Sequence, residues 1–164
     1  MQPAFVLHAR PYRNTSLLVD CFTAEHGMVP AVARGARRRQ SRLRGLLQPF
    51  RPLLVAWRGR GELVTLAAAE DLGLPYRMTG AVLASGFYVN ELLLRLLPRH
   101  DAHPALFLRY RETLQALAGL GADGGADVQG MALQRVLRLY EKALLRELGF
   151  GMLLDSTAAG EPVR

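Results

Sequence analysis

Apolar positions change their rhythm once along this chain. Between residues 5 and 69 they come in short runs broken by turn residues, and from residue 80 they recur every three or four positions. The first pattern predicts strands and the second helices. Residues 5–10 are apolar and then polar, and Pro11 precedes a polar corner at Arg13-Asn14. Residues 15–23 place Leu17, Val19 and Cys21 on one face and Leu18, Asp20 and Phe22 on the other. Both faces are largely apolar, which predicts a strand deep in a closed sheet. Glu25-His26-Gly27 predicts a turn, residues 28–33 a third strand, and residues 50–57 a fourth, with Pro52 near its start where a missing N–H is tolerated. A glycine-containing hairpin turn at Arg58-Gly59-Arg60-Gly61 leads to a fifth strand over residues 63–69. Five short strands with a long loop after the third fit a small barrel of the oligonucleotide-binding (OB) kind.

The period changes at residues 71–75, which divides the chain into a barrel over 1–74 and a helical domain over 75–164, an α+β architecture. Thr79 is the expected N-cap of a helix over 80–97 that Pro98 ends. Its apolar residues, among them Val82, Leu83, Phe87, Val89, Leu92, Leu93, Leu96 and Leu97, cover nearly the whole circumference and predict a central, buried helix. Pro104 suits the first turn of a second helix over 104–117, with Leu106, Phe107, Tyr110, Leu114 and Leu117 on one face. A flexible loop over 119–125 is expected next. Asp127 is the expected cap of a third helix to residue 148, carrying Leu133, Val136, Leu137, Tyr140, Leu144 and Leu148 at helical spacing, and Gly149 is its stop. Residues 153–164 are small and polar without periodicity, so they are expected to fray and the helical domain to be incomplete.

Charge singles out one stretch. Residues 34–44 hold six arginines, Arg34, Arg37, Arg38, Arg39, Arg42 and Arg44, and no acid. Arginine keeps its charge at any ordinary pH and offers a planar fork of donors that matches phosphate oxygens. Gly35, Gln40 and Ser41 add looseness, so a mobile phosphate-binding loop is expected, with a merely solvated basic loop as the plain alternative. Residues 1–80 carry 12 Arg against 5 Asp and Glu, while residues 81–164 carry 9 Arg and Lys against 9 Asp and Glu. The whole excess of +7 therefore lies in the barrel half, which expects a polyanion.

Chemistry that needs clustered side chains finds little support. The single cysteine, Cys21, permits no intramolecular disulfide and no cysteine-based zinc site, and sits in a strand where a core role is expected. His100-Asp101-Ala102-His103 is the best metal candidate, yet it lies between two helices with no further ligand nearby and is read as a polar connector. Glu70-Asp71 and the pair Asp123, Asp127 fall at a boundary and a loop, and no phosphate-cradling glycine motif occurs. No enzyme, metal site or cofactor is expected. A basic start and long apolar stretch are missing from the N-terminus, and the apolar run 81–97 is broken by Asn90, Glu91 and Arg95, so a cytoplasmic chain without a membrane span is expected.

For nucleic acid, the six arginines with Arg58 and Arg60 at the hairpin turn could track a sugar-phosphate backbone. Tyr12, Phe22, Phe50 and Trp57 are the candidate stacking rings, each competing with a place in the core, and Trp57 beside Arg58 is the preferred one.

Several segments follow one another in a specific order, from Val6-Leu7-His8-Ala9-Arg10-Pro11-Tyr12-Arg13-Asn14-Thr15-Ser16 through Phe22-Thr23-Ala24-Glu25-His26-Gly27 to Ala33-Arg34-Gly35-Ala36-Arg37-Arg38 and Leu47-Gln48-Pro49-Phe50. Phe87-Tyr88-Val89-Asn90-Glu91-Leu92-Leu93 and Leu148-Gly149-Phe150-Gly151 extend the series over nearly the whole chain. In this order and spacing they resemble the RecO family of bacterial recombination mediators. The resemblance implies an OB barrel joined to a helical domain, without enzymatic activity. It implies binding of single- and double-stranded DNA, annealing of complementary strands, binding of the acidic C-terminal tail of single-strand-binding protein, and work with RecR to load RecA in the nucleoid. Arg109, Arg135 and Arg138 are candidates for the acidic tail, against local pairing on their helices. Some family members carry a four-cysteine zinc site after the segment matching residues 148–151; Leu154-Asp155-Ser156-Thr157-Ala158-Ala159-Gly160 has no cysteine, so no zinc is expected. Two other functions stay open: a helical adaptor whose basic loop binds an acidic protein, and an RNA-binding barrel.

Overall fold

The structure is a computed structural model that describes residues 1–120 and 126–150. Five strands, β1 (Gln2–Tyr12), β2 (Ser16–Thr23), β3 (Gly27–Ala33), β4 (Leu53–Arg58) and β5 (Val64–Asp71), close a barrel in the order β1-β2-β3-β5-β4. β3 and β5 pair in parallel and the other neighbours antiparallel, β1 reaching β2 along most of its length and β4 through Gln2, Pro3 and Ala4. A five-stranded barrel with one parallel closing pair and a long connection after β3 fits the OB fold. A one-turn helix α1 (Leu43–Leu46) lies in that connection. Three long helices, α2 (Gly80–Leu96), α3 (Pro104–Ala118) and α4 (Ala126–Glu147), follow the barrel. Among the described residues no helix is long and apolar enough to cross a membrane.

Strand alternation divides the barrel's apolar residues between two cores. Ala4, Val6, Val19, Cys21, Val29, Ala31, Ala33, Leu53 and Val55 fill the interior, where several alanines suit a narrow lumen. Phe5, Leu7, Phe22, Met28 and Phe50 leave the barrel and form a second core with Val89, Leu93, Phe107, Tyr110, Leu114, Tyr140 and Leu144 of the helices. Phe5 and Phe22 each lie within 5.2–5.7 Å of Phe107 and Tyr110, centroid to centroid, in tilted or edge-on geometry. Such pairs contribute about 0.5–1.5 kcal/mol beyond their area. The β1 register slips between Val6 and His8, so Leu7 is the extra residue of a bulge.

The helical expectations hold for α3, where Leu106, Phe107, Tyr110, Leu114 and Leu117 are all buried. They need correction for α2. Only one face, including Val82, Ser85, Gly86, Val89, Asn90 and Leu93, is buried, because the barrel and the other helices approach from one side and leave Phe87, Tyr88 and Leu96 exposed. Thr79 occupies the N-cap position of α2 without a side-chain cap bond. α4 begins at Ala126, so Asp127 falls inside the helix and not before it. Gly149 ends the region as expected: with φ +83 it lets Phe150 N–H donate to Leu145 O at 2.8 Å and its own N–H to Arg146 O at 3.1 Å, a Schellman closure. Residues 121–125 of the expected flexible loop and the tail 153–164 lie outside the described residues.

β1 starts at Gln2, earlier than expected, and β4 at Leu53, later, because Phe50 bends the chain with φ +64 and turns its ring into the second core. Cys21 is buried in the barrel interior, as expected, and burial, aided by Asp20, pushes its thiol up to about 12.

Candidate nucleic-acid interface

The arginine segment leaves β3 at Ala33 and follows a strapped path, where a loose loop was expected. Ala36 is fully buried under it, and Arg37 N–H donates to Thr15 O at 2.8 Å. Arg38 N–H donates to Gly35 O and Ser41 N–H to Arg38 O, both at 3.0 Å, and Gly35 takes φ +68 to make the first bend. Leu43 and Leu46 of α1 pack on the barrel core, with Leu47 buried just beyond, which accounts for a helical turn no long-range periodicity announces. Glycine, glutamine and serine thus serve turns here, and buried alanine and leucine hold the ends.

That path sends neighbouring arginines to different sides. Arg34 and Arg38 line a groove of about 570 Å3 over the β3–β5 seam, facing Tyr12, Arg13, Val32 and Thr65. The Arg13 guanidinium lies 5.3 Å from the centroid of the Tyr12 ring, a cation–π contact at the β1–β2 turn, where Arg13 has φ +51. Arg37 and Arg44 line a second groove of about 610 Å3 between β1 and α2, walled by Leu7, Leu47, Phe87 and Leu94. Arg37 also donates from Nη1 to the Arg13 and Asn14 carbonyls at 3.4 and 3.3 Å. Arg42 borders a third depression with Arg51, whose guanidinium is held by Asp71 and the Gly45 carbonyl. Arg39 is exposed and lines none of these three grooves.

Among the described residues, none of the six arginines forms an ion pair with a carboxylate. Their charges stand uncompensated within a short arc, which is costly unless an anion arrives.

The other sequence candidates lie outside the arginine segment. Trp57 is half-buried near the C-terminal end of β4, its ring edge-on to His26 at 5.2 Å. The strand partner of Trp57 is Leu66, and the next residue, Arg58, pairs with Thr65, which pairs in turn with Val32 of β3 and lines the groove of Arg34 and Arg38. Arg58 and Arg60 are exposed on the β4–β5 turn beside Trp57. Phe22 and Phe50 are core residues of the barrel–helix contact and cannot stack on bases; burying the outer barrel face against helices consumed them.

On the helices, Arg109 pairs with Glu112 at 3.0 Å and Arg138 with Glu141 at 2.7 Å, while Arg135 is exposed and has no ion pair among the described residues. Glu141 also accepts from the Tyr88 hydroxyl at 2.7 Å, which raises the tyrosine's pKa, with burial adding to it. Arg109 lines a shallow groove of about 290 Å3 between α3 and α4 together with Lys142 and Arg146, over Leu106 and Leu139. The sequence pattern did not single out Arg13, Phe87, Lys142 or Arg146. A signal existed for the last two, whose i, i+4 spacing puts them on one helical face. None existed for Phe87, which looked like one more residue of a buried helix. Among the described residues, no group of three or more His, Cys, Asp or Glu is placed to hold a metal ion.

Comparison with known proteins follows the same division. Residues 1–74 match the family Recombination protein O N terminal, and residues 77–163 match Recombination protein O C terminal. DNA repair protein RecO of Ralstonia nicotianae is 48% identical over 163 residues, covering 99% of this chain and 56% of the relative. Its namesake from Dechloromonas aromatica is 49% identical over 155 residues, covering 94% and 61%, and that from Yersinia pestis 48% over 163 residues, covering 99% and 64%. The chain thus spans between 56% and 64% of the length of these relatives. With both halves matched in order and nearly every residue aligned, the chain belongs to the recombination protein O family.

Proposed function

We propose that this chain is a non-enzymatic mediator of DNA repair and homologous recombination. It binds single- and double-stranded DNA along the arginine segment, anneals complementary strands, and with RecR helps load RecA onto DNA coated by single-strand-binding protein. The observation that carries the reading is the row of uncompensated arginines at one end of an OB barrel, in a chain whose relatives are named DNA repair protein RecO. Phosphates replace their counterions on Arg34, Arg37, Arg38, Arg42 and Arg44, and the released ions supply most of the affinity. Annealing asks for no acid, base or metal. Neutralised backbones repel each other less, and bases held only by stacking stay free to pair.

The helical half would meet proteins. The α3–α4 groove sets Arg109, Lys142 and Arg146 around an apolar floor, which suits an acidic, partly apolar peptide such as the C-terminal tail of single-strand-binding protein. Arg135 and Arg138, on the same helix, extend the basic surface.

A salt titration of binding to fluorescent single-stranded DNA tests the DNA reading. It compares the native chain with one carrying Arg34→Ala, Arg37→Ala, Arg38→Ala and Arg44→Ala. Each phosphate contact contributes about 0.7 to the log-log slope, so the variant should lose about 3. An unchanged slope and affinity would instead favour an acidic protein as the segment's partner, and preference for RNA of the same sequence would favour an RNA-binding barrel.

A further inference from the structure

We infer that the arginine segment is a ridge between two separate strand-binding grooves, so that one chain holds two unpaired nucleic-acid strands at once. This rests on the nucleic-acid reading above and goes beyond it.

The geometry is that of a divided row. Arg34 and Arg38 belong to the groove over the β3–β5 seam, and Arg37 and Arg44 to the groove between β1 and α2. Adjacent residues Arg37 and Arg38 thus serve opposite sides. The bend at Gly35 and the bond from Arg37 N–H to Thr15 O fix which side each takes. The grooves are alike in volume, about 570 and 610 Å3, and each has its own arginine pair. A single binding track would have gathered the charges on one side.

The two grooves differ in how they would treat bases. The first offers the Tyr12 ring with Arg13 over it, and hydroxyls from Thr15, Ser16 and Thr65. The second is apolar, with Leu7, Leu47 and Leu94 around a Phe87 ring that is 49% exposed. An exposed ring beside two guanidiniums that no carboxylate among the described residues pairs, Arg44 and an Arg37 held by the Arg13 and Asn14 carbonyls, is the combination that takes an unpaired base and its phosphate. The acidic group on that wall, Glu91, is already paired with Arg95, so it does not repel a phosphate at full strength. Two backbones on either side of the ridge would lie within roughly one Debye length, about 8–10 Å, of the same fixed positive charges. The repulsion that slows annealing is largest where those charges sit.

Two oligothymidines, one with a donor dye and one with an acceptor, cannot pair with each other, so energy transfer between them reports co-occupancy of one protein. The native chain should show transfer in complexes whose mass is that of one chain with two strands. Arg34→Ala with Arg38→Ala should abolish transfer while one strand still binds, and Arg37→Ala with Arg44→Ala should do the same. Because Arg37 also holds the β1–β2 turn, Arg44→Glu alone is the second variant; it leaves that turn untouched and should also halve the number of strands bound. One strand per chain at saturation, with salt-dependent affinity, would overturn the inference and leave the DNA reading standing. A second groove that takes polyglutamate but no oligothymidine would overturn it too, and no binding of oligothymidine at all would overturn both.

Discussion

Asn90 of α2 donates from Nδ2 to the Leu7 carbonyl of β1 at 3.0 Å, 83 residues away in sequence. Its Oδ1 accepts from the Tyr110 hydroxyl of α3 at 2.7 Å, so one buried amide ties the barrel to two helices. Leu7 is the extra residue of the β1 bulge, a position whose backbone drops out of the ladder and needs another partner. Asn90→Leu keeps the branched shape and leaves two buried polar groups unpaired, at about 1–3 kcal/mol each. A loss of roughly 2–6 kcal/mol should appear in urea unfolding followed by circular dichroism. A midpoint equal to that of the native chain would show that the amide does not hold the two parts together.

Gly27 and Gly45 should respond to alanine with opposite signs. At Gly27, φ is +62 and an added Cβ would stand 1.8 Å from the Asp101 carbonyl oxygen, where the α2–α3 connector docks on β3 and His100 N–H donates to Met28 O. Backbone faces backbone there, so nothing flexible can yield. Gly27→Ala should cost about 3 kcal/mol or more, through clash and left-handed strain together. Gly45 lies in α1 with open space around its Cβ direction, and Gly45→Ala should stabilise by roughly 0.5–1 kcal/mol. Thermal unfolding of the two variants checks both signs.

Much of this architecture is legible in the chain because local rules and tertiary structure agree. Leu106, Phe107, Tyr110, Leu114 and Leu117 repeat at helical spacing and are buried on α3; Leu17, Val19 and Cys21 alternate and line the barrel. What escapes is what depends on which outer face is covered. Phe22 and Phe50 look like barrel-surface rings until helices are laid over them, and Asn90 looks like a mere break in an apolar run until Leu7 and Tyr110 come to meet it. The arginines announce a polyanion by composition, but the side each one serves is set by bends at Gly35 and by the burial of Ala36, which no periodicity encodes.

Cys21 should be inert in the native chain. Burial first, and Asp20 second, hold its thiol neutral up to about pH 12, against an ordinary value of 9.0. Thiolate is the reactive form, so a thiol-reactive dye at pH 8 should leave the folded chain unlabelled and react once urea exposes the residue. The linkage has a definite sign. The folded pKa lies above the unfolded one, so this group's contribution to stability is full below pH 9 and is lost as pH rises from there toward 12. Rapid labelling under native conditions would mean that the β1–β2–β3 side of the barrel opens readily.

Trp57 is the chain's one tryptophan, which makes its emission a local reporter of the DNA path. One edge of its ring is taken by His26, and although its neighbour Arg58 pairs with Thr65 on the wall of the Arg34–Arg38 groove, Trp57 itself lines none of the three grooves that the arginines border. Single-stranded DNA held in those grooves should therefore change Trp57 emission little, and Trp57→Phe should leave affinity unchanged. Tyr12→Ala should weaken binding by about 1–3 kcal/mol, the contribution of one base stacked on a ring. Strong quenching of Trp57 would instead route the strand over the β4–β5 turn, past Arg58 and Arg60, and the same titration with Arg58→Ala and Arg60→Ala would then show the loss of slope expected of two phosphate contacts, about 1.4.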